Sequence, residues 1–224
     1  MTTTATKTKE RGIVLSAFEV RALAEGRLTQ LRRVVKPQPM KSERGEGRWL
    51  WSKGAGRASY WMNEQRCDVH EKATDKLISS ESQIIPVAEW LANHHERPYR
   101  AGDVLFVKEK WGVWSVDRTD AYAVDENDAA KCEMLHGRWW PATWMTRDRS
   151  RFSLRIVDVR VERVQDVTEE DAMASGCEGE ILNEEPFVRA TPQQQYLHQW
   201  DLDNGGKYPS IGNPWVWRLT VAKV

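Results

Sequence analysis

Apolar positions along the chain recur at two spacings. Ala17, Val20, Leu23 and Ala24 fall three or four residues apart, which gives a helix one apolar face. Ser16 precedes Glu19 by three residues, the spacing of a capping box. Gly26 stands where such a helix ends, because glycine takes the left-handed backbone without strain. The pattern predicts a helix from Ser16 to Gly26, then a strand over Leu28–Val35 stopped by Lys36-Pro37. Val104–Glu109 is apolar at both parities and reads as a buried strand. In Arg151–Val164, Phe152, Leu154 and Ile156 share one parity and Val157, Val159 and Val161 the other. That switch predicts a bulge at Ile156-Val157. Thr168 followed by Glu169, Glu170 and Asp171 opens a helix ending near Gly176, with acids placed against the helix dipole. Thr191-Pro192 opens another, with Tyr196, Leu197 and Trp200 on one face, ended by Asp203-Asn204-Gly205-Gly206. A last strand alternates Trp215, Trp217, Leu219 and Val221 with Val216, Arg218 and Thr220.

Elsewhere the periodicity fades. Lys41–Ser59, rich in Gly, Ser, Lys and Arg around Trp49 and Trp51, reads as a loop or short hairpin. Val87–Ala92 is a short helix candidate, Asp117–Glu133 an acidic strand-loop-helix, and Trp139-Trp140-Pro141 a break in regular structure. Residues 1–12 read as a disordered tail and 13–224 as a single α+β domain. Its expected form is a small β-barrel with helices at its openings and a long irregular insertion at about 40–97.

Composition narrows the classes. The chain has 224 residues, 40% hydrophobic and 29% charged, enough for one sizeable core. No apolar run approaches the roughly 20 residues of a membrane helix, and the first residues lack the apolar core of a signal peptide. No membrane partner is expected. Cys67, Cys132 and Cys177 are widely spaced without a CxxC, which suits reduced thiols in a cytoplasm. Cys67-Asp68-Val69-His70, Cys132 with His136, and His94-His95 have ligand-like spacing. A zinc site needs such pairs to converge, and neither metal nor cofactor is expected. Formal net charge is +0, so no global field draws the chain to a polyanion. Locally the balance differs: roughly eleven bases against four acids in Arg21–Arg66, and roughly ten acids against two bases in Asp158–Glu185.

Gly26-Arg27-Leu28-Thr29-Gln30-Leu31-Arg32-Arg33 resembles the ASCH-domain signature G-x-K-x-x-E/T-x-R of the PUA-like superfamily. The chain as a whole resembles phage and prophage ASCH-like proteins. These carry a similar helix, a GRKTQTRR-type turn and VVKPQP directly after it, as in Val34–Pro39 here. Further echoes are Gly102–Trp111, Gln165–Ala172 and Asn213–Trp217, in the family's order from about Ile13 to Val224. The resemblance implies a PUA-like barrel whose first helix and following strand form one wall of a cleft.

Some ASCH enzymes hydrolyse acylated cytidine with a Lys, a Thr and a Glu, and another is a ribonuclease. The corresponding positions here are Leu28, Leu31 and, by alignment of the Thr168 helix, Ser175. Leucine neither accepts a proton nor attacks a carbonyl, so the resemblance implies a chain whose catalytic positions are degenerate. What persists is the binding half. Gly26, Arg27, Thr29, Gln30, Arg32 and Arg33 offer guanidinium and amide donors for a phosphate or a base edge. Glu109 can accept from a cytosine amino group or orient Arg33. Trp111 accompanies it, and Trp144 and Arg147 belong to a loop where aromatics and cations interleave, as they do in Arg48–Lys53.

The leading expectation is a protein binding RNA, single-stranded nucleic acid or a modified nucleotide in the cleft beside the GRLTQLRR turn. The alternatives are a hydrolase (acylated-cytidine amidohydrolase or ribonuclease) using other residues, and a phage accessory protein that binds a host or virion protein. For the last, the surfaces would be Asp158–Glu185 and the tryptophan-bearing insertion.

Overall fold

The computed structural model describes residues 8–41, 49–52, 59–62, 67–71, 76–81, 91, 97–113, 120–126, 130, 137–183, 188–204 and 206–224. In chain order the first elements are β1 (Glu10–Val14), α1 (Ala17–Ala24) and β2 (Gln30–Val34). Short strands follow: β3 (Met40–Lys41), β4 (Trp49–Ser52), β5 (Ser59–Met62), β6 (Cys67–Glu71) and β7 (Lys76–Glu81). Next are β8 (Val104–Lys108), β9 (Trp111–Val113), β10 (Asp120–Tyr122), β11 (Arg138–Trp140) and β12 (Ser153–Arg163). The chain closes with α2 (Glu169–Ala174), β13 (Glu180–Asn183), β14 (Val188–Ala190), α3 (Pro192–Asn204) and β15 (Trp215–Lys223).

The class is α+β. Five strands form the main sheet in the order β1-β8-β12-β15-β2, and the described strands close no barrel. β1 runs parallel to β8, and the other pairs are antiparallel. Glu10–Gly12, within the segment read as a tail, are therefore strand residues, paired with Val104–Phe106. Among the described strands β2 is an edge strand, held on one side by β15.

Two layers cover this sheet. On one face Leu31, Leu105, Val107, Leu154, Ile156, Val161, Trp217, Leu219 and Val221 meet Val20 and Leu23 of α1. On the other, Val164 and Val216 meet Trp200 of α3, with Val34 and Tyr196 against them. The alternation in β15 thus feeds both layers, not one core and one wet face. β12 carries the expected bulge, since its register with β15 shifts between Ile156 and Asp158. Val157 is the residue left out, exposed at the bulge instead of sharing the inward parity of Val161.

Caps fix α1, α2 and α3. Ser16 and Glu19 make the reciprocal capping box of α1. Thr168 Oγ1 accepts from Asp171 N at 3.1 Å at the start of α2. Thr191 and Gln194 exchange backbone and side-chain bonds of 3.2 and 2.9 Å ahead of α3. Gln193 Nε2 donates to Val167 O at 2.7 Å and Trp200 Nε1 to Tyr208 O at 2.8 Å, which anchors α3 over the sheet.

Two other regions differ from expectation. The span read as irregular contains an antiparallel meander, β3-β4-β5-β6-β7. Its strands are four to six residues long apart from the two-residue β3, too short for a period-two pattern to stand out from the polar residues around them. Arg138–Trp140 is a strand paired with β9, and Pro141 ends it. The helix candidate Val87–Ala92 lies outside the described residues apart from Leu91, as does most of Asp117–Glu133 apart from 120–126 and 130.

Candidate functional site

A cleft of about 370 Å3 opens beside β2. Its floor is Gln30, Leu31, Arg32 and Arg33. One wall is the start of α1, with Ser16, Phe18 and Glu19; the other is α3, with Tyr196, Gln199, Trp200, Asp203 and Asn204. Ser175, at the end of α2, closes one end. The placement follows from β2 being an edge strand. Its side chains alternate between faces, so Arg33 turns to α1 and Arg32 to α2. Thr29 O accepts from Val221 N and Val35 N donates to Trp215 O, at 2.8 and 3.0 Å. In an antiparallel ladder of that phase, the main-chain groups of Gln30 and Arg32 point to the unpaired edge.

Arg32 is fully buried and lies at the centre of a polar network. Its Nε donates to Glu162 Oε1 at 2.7 Å and its Nη1 to Ser175 Oγ at 3.1 Å. Nη2 is 3.3 Å from Asp171 Oδ2, out of line for a hydrogen bond. The guanidinium carbon sits 5.2 Å from the centre of the Tyr196 ring. Arg218, the cross-strand neighbour of Arg32, reaches Glu162 and Asp171 at 3.5 and 3.6 Å. Gln30 Nε2 donates to Asp171 Oδ1 at 2.9 Å. Burial opposes the charge on Asp171, but the Gln30 hydrogen bond and the charges of Arg32 and Arg218 outweigh it and hold the carboxyl below its usual value. Two guanidiniums thus face two carboxylates. The polar atoms left over are Gln30 Oε1, Arg32 Nη2 and Arg218 Nε, buried and without a hydrogen bond.

Arg33 is committed in the same way. It grips Glu19 with two hydrogen bonds of 2.8 and 3.0 Å, and donates to Val14 O and Arg32 O. Burial works against its charge, yet Glu19 more than offsets this and raises its pKa. Glu19 also caps α1, so one carboxylate ends the helix and neutralises the cleft arginine. Across the cleft, burial and the charge of Glu19 raise the Asp203 carboxyl, against the pull of Gln199, Ser16 and Arg33. Burial likewise raises the Tyr196 hydroxyl, with Arg32 opposing. The lining therefore carries Glu19 and Asp203 against Arg32 and Arg33, with little net charge.

Of the other signature residues, Gly26, Arg27, Leu28 and Thr29 support the cleft without lining it. Gly26 terminates α1 with φ +78°. Arg27 bonds Glu25, lies 3.4 Å from Glu178, and donates to Gly176 O at 2.5 Å. Thr29 N donates to Ala174 O at 2.8 Å, tying β2 to α2. Leu28 is core; Leu31 is core and reaches the cleft floor. Ser175 accepts from Arg32 and donates its hydroxyl to Asp171 O at 2.9 Å.

Glu109, Trp111, Trp144 and Arg147 are not brought to the cleft. Glu109 is buried and takes two hydrogen bonds of 2.9 Å from Arg151, not from Arg33. Arg147 bonds Glu10 at 2.5 Å and Ser153 at 3.1 Å. Trp111 is buried, and Trp144 is 63% exposed. Arg48 and Lys53 lie outside the described residues, as do Cys132, His136, His94 and His95. Among the described residues no group of His, Cys, Asp and Glu could hold a metal ion. No described helix is long and apolar enough to cross a membrane. Burial pushes the Cys177 thiol up to about 12, with Arg27 and Arg32 opposing, which leaves it a poor nucleophile.

Tyr196, Trp200, Asp171, Glu162 and Arg218 were not singled out as site residues from the sequence. The signal for two of them was present: Tyr196 and Trp200, four apart on α3, read as one apolar face. Nothing local links Glu162 or Arg218 to Arg32. No family model, no curated protein and no solved structure matches this chain.

Proposed function

We propose that the protein is a PUA-like module of the ASCH kind, its main sheet the larger part of that barrel. It binds one nucleobase or nucleoside, free or within RNA or single-stranded DNA, in the cleft on β2. The observation that carries this reading is the pairing of a nucleoside-sized hollow with a strand edge whose cations are already neutralised. A volume of about 370 Å3 falls in the small-molecule range of roughly 300–1,000 Å3. Phe18, Tyr196 and Trp200 supply aromatic walls suited to a planar ring. Gln30 Oε1 is an unfilled acceptor, and the main-chain groups of Gln30 point to the outer edge of β2, a fit for a base edge that carries an amino group.

Phosphate is a poor match for this hollow. Each arginine facing it is paired with a carboxylate, and a phosphate entering would compete with Glu19, Glu162 and Asp171. Recognition of the base through hydrogen bonds and stacking is the consistent alternative. Catalysis is not part of the reading. Among the described residues the Ser175 hydroxyl bonds only Arg32 and a carbonyl, and neither activates a nucleophile.

Calorimetric titration with cytidine, adenosine, their acylated and methylated forms and the matching monophosphates tests this. The expected result is binding of at least one nucleoside, equal within about three-fold for its monophosphate, with a salt slope near zero. Gln30→Leu should weaken it roughly ten-fold, the cost of one lost hydrogen bond. Binding confined to phosphate-bearing ligands with a steep salt slope, or turnover of any ligand, would overturn the reading.

A further inference from the structure

Away from the cleft, three tryptophans form a stack that runs from the interior to solvent. Trp111 of β9 is 8% exposed and pairs across the strands with Trp140 of β11. Their ring centres are 6.3 Å apart and their planes 23° apart. Pro141 ends β11, and the turn Ala142–Trp144 folds back so that Trp144 lies over Trp140, at 5.4 Å and 29°. Among the described residues Trp140 is the one ring in contact with Trp144. The stack therefore ends in an exposed indole.

This end is held rigidly. Trp144 N donates to Pro141 O at 3.0 Å and Met145 N to Ala142 O at 3.1 Å. Lys108 Nζ donates to Thr143 O at 2.9 Å, and Met145 is buried beneath the turn. One face of the Trp144 ring is covered by Trp140 and the ring is 63% exposed, so its outer face is open. It is preorganised to receive another flat ring, and ordering entropy already spent in folding favours that binding.

The surrounding charge identifies the partner. Arg147, Arg149 and Arg151 are neutralised by Glu10, Asp120 and Glu109. Lys108, Lys110 and Arg138 have no carboxylate partner among the described residues. Arg138 sits 4.0 Å from the Trp140 ring and Lys108 bonds the turn itself, whereas Lys110 lies 5.6 Å from Trp139, which alternates to the other face of β11. The patch thus combines an open ring face with two cations that lack a carboxylate partner among the described residues, Lys108 and Arg138, opposed in part by the exposed Asp148 carboxylate of the adjoining turn.

We infer that the outer face of Trp144 is a stacking platform for one base of a single-stranded nucleic acid. The flanking phosphates lie against Lys108 and Arg138. Duplexes keep their base faces stacked internally, so a single strand is the form that fits. This site is independent of the cleft on β2, and its binding should depend on salt where the cleft's does not.

Fluorescence anisotropy of the full chain with a labelled single-stranded twelve-nucleotide RNA tests it, alongside the same strand made abasic. Trp144→Ala should weaken binding of the normal strand roughly ten-fold, leave the abasic strand unaffected, and spare nucleoside binding in the cleft. Trp144→Phe should retain most of the affinity, and Arg138→Ala should weaken both strands alike and lower the salt slope. Because Trp144 is exposed, folding of the variants is checked by near-unchanged thermal midpoints. The inference is overturned if the wild-type chain does not bind the strand, if Trp144→Ala binds as tightly as wild type, or if its loss is the same on the abasic strand. Failure of the cleft reading would show separately, as absent nucleoside binding with RNA binding intact.

Discussion

Arg32 is held by groups from three segments: Glu162 on β12, Asp171 and Ser175 on and just after α2, and the Tyr196 ring on α3. A guanidinium with a fully buried side chain survives there because the two carboxylates offset its desolvation. Removing it would leave Arg218, at 3.5 and 3.6 Å, as the cation facing both carboxylates, with Gln30 still bonded to Asp171. Arg32→Ala is expected to cost about 3 kcal/mol, the low end of the range for breaking a buried pair, since Arg218 remains. Chemical denaturation measures it, and a loss below about 1 kcal/mol would show that the network does not bear on stability. Arg147, exposed and paired with Glu10 at 2.5 Å, should by contrast be nearly neutral to truncation.

At the scale of elements, the cleft depends on how closely α1 and α2 approach. Gly176 follows α2 with φ +96°, and a Cβ there would lie 2.4 Å from the Ala22 Cβ. Gly26 follows α1 with φ +78° and open space around it. The pair separates two effects. Gly26→Ala should cost about 1–2 kcal/mol, the strain of the left-handed backbone alone. Gly176→Ala carries the same strain plus the clash and should cost clearly more. It should also loosen Arg27 from Gly176 O, and with it the anchoring of β2 at Ala174. Comparing the two denaturation midpoints reads the contact between the helices directly; equal losses would mean that the helix ends move apart freely.

For the whole molecule, the polar network ties stability to pH. The Asp171 carboxyl in the folded chain lies below its unfolded value of 3.8. A depressed acid contributes stability that is complete above the unfolded pKa and is lost as pH falls through the folded one. Stability should therefore drop on acidification below about pH 4, as Asp171 takes a proton and releases Arg32 and Arg218. Asp171→Asn should be less stable near neutrality and lose less over the same acid range. Thermal midpoints from about pH 2 to 7 check this; parallel curves for the two proteins would place the acid sensitivity elsewhere.

Much of the local structure was legible in the sequence, since caps and periodicity act over a few residues. Ser16 with Glu19 marked α1, Thr168 marked α2, Thr191-Pro192 marked α3, and the parity switch at Ile156-Val157 marked the bulge. Gln30, Arg32 and Arg33 were legible as polar residues gathered on one strand. Their charge state was not. Whether Arg33 is free or spent depends on Glu19, and Arg32 on Glu162 and Asp171, partners more than 100 residues away for Arg32. Glu109, Trp111, Trp144 and Arg147 were legible as candidate binding residues, and the tertiary structure sets them apart from the cleft on β2. Sequence period sets which face a side chain occupies; the order β1-β8-β12-β15-β2 sets what that face meets, because strands distant in the chain become neighbours through hydrogen bonds that no local pattern encodes.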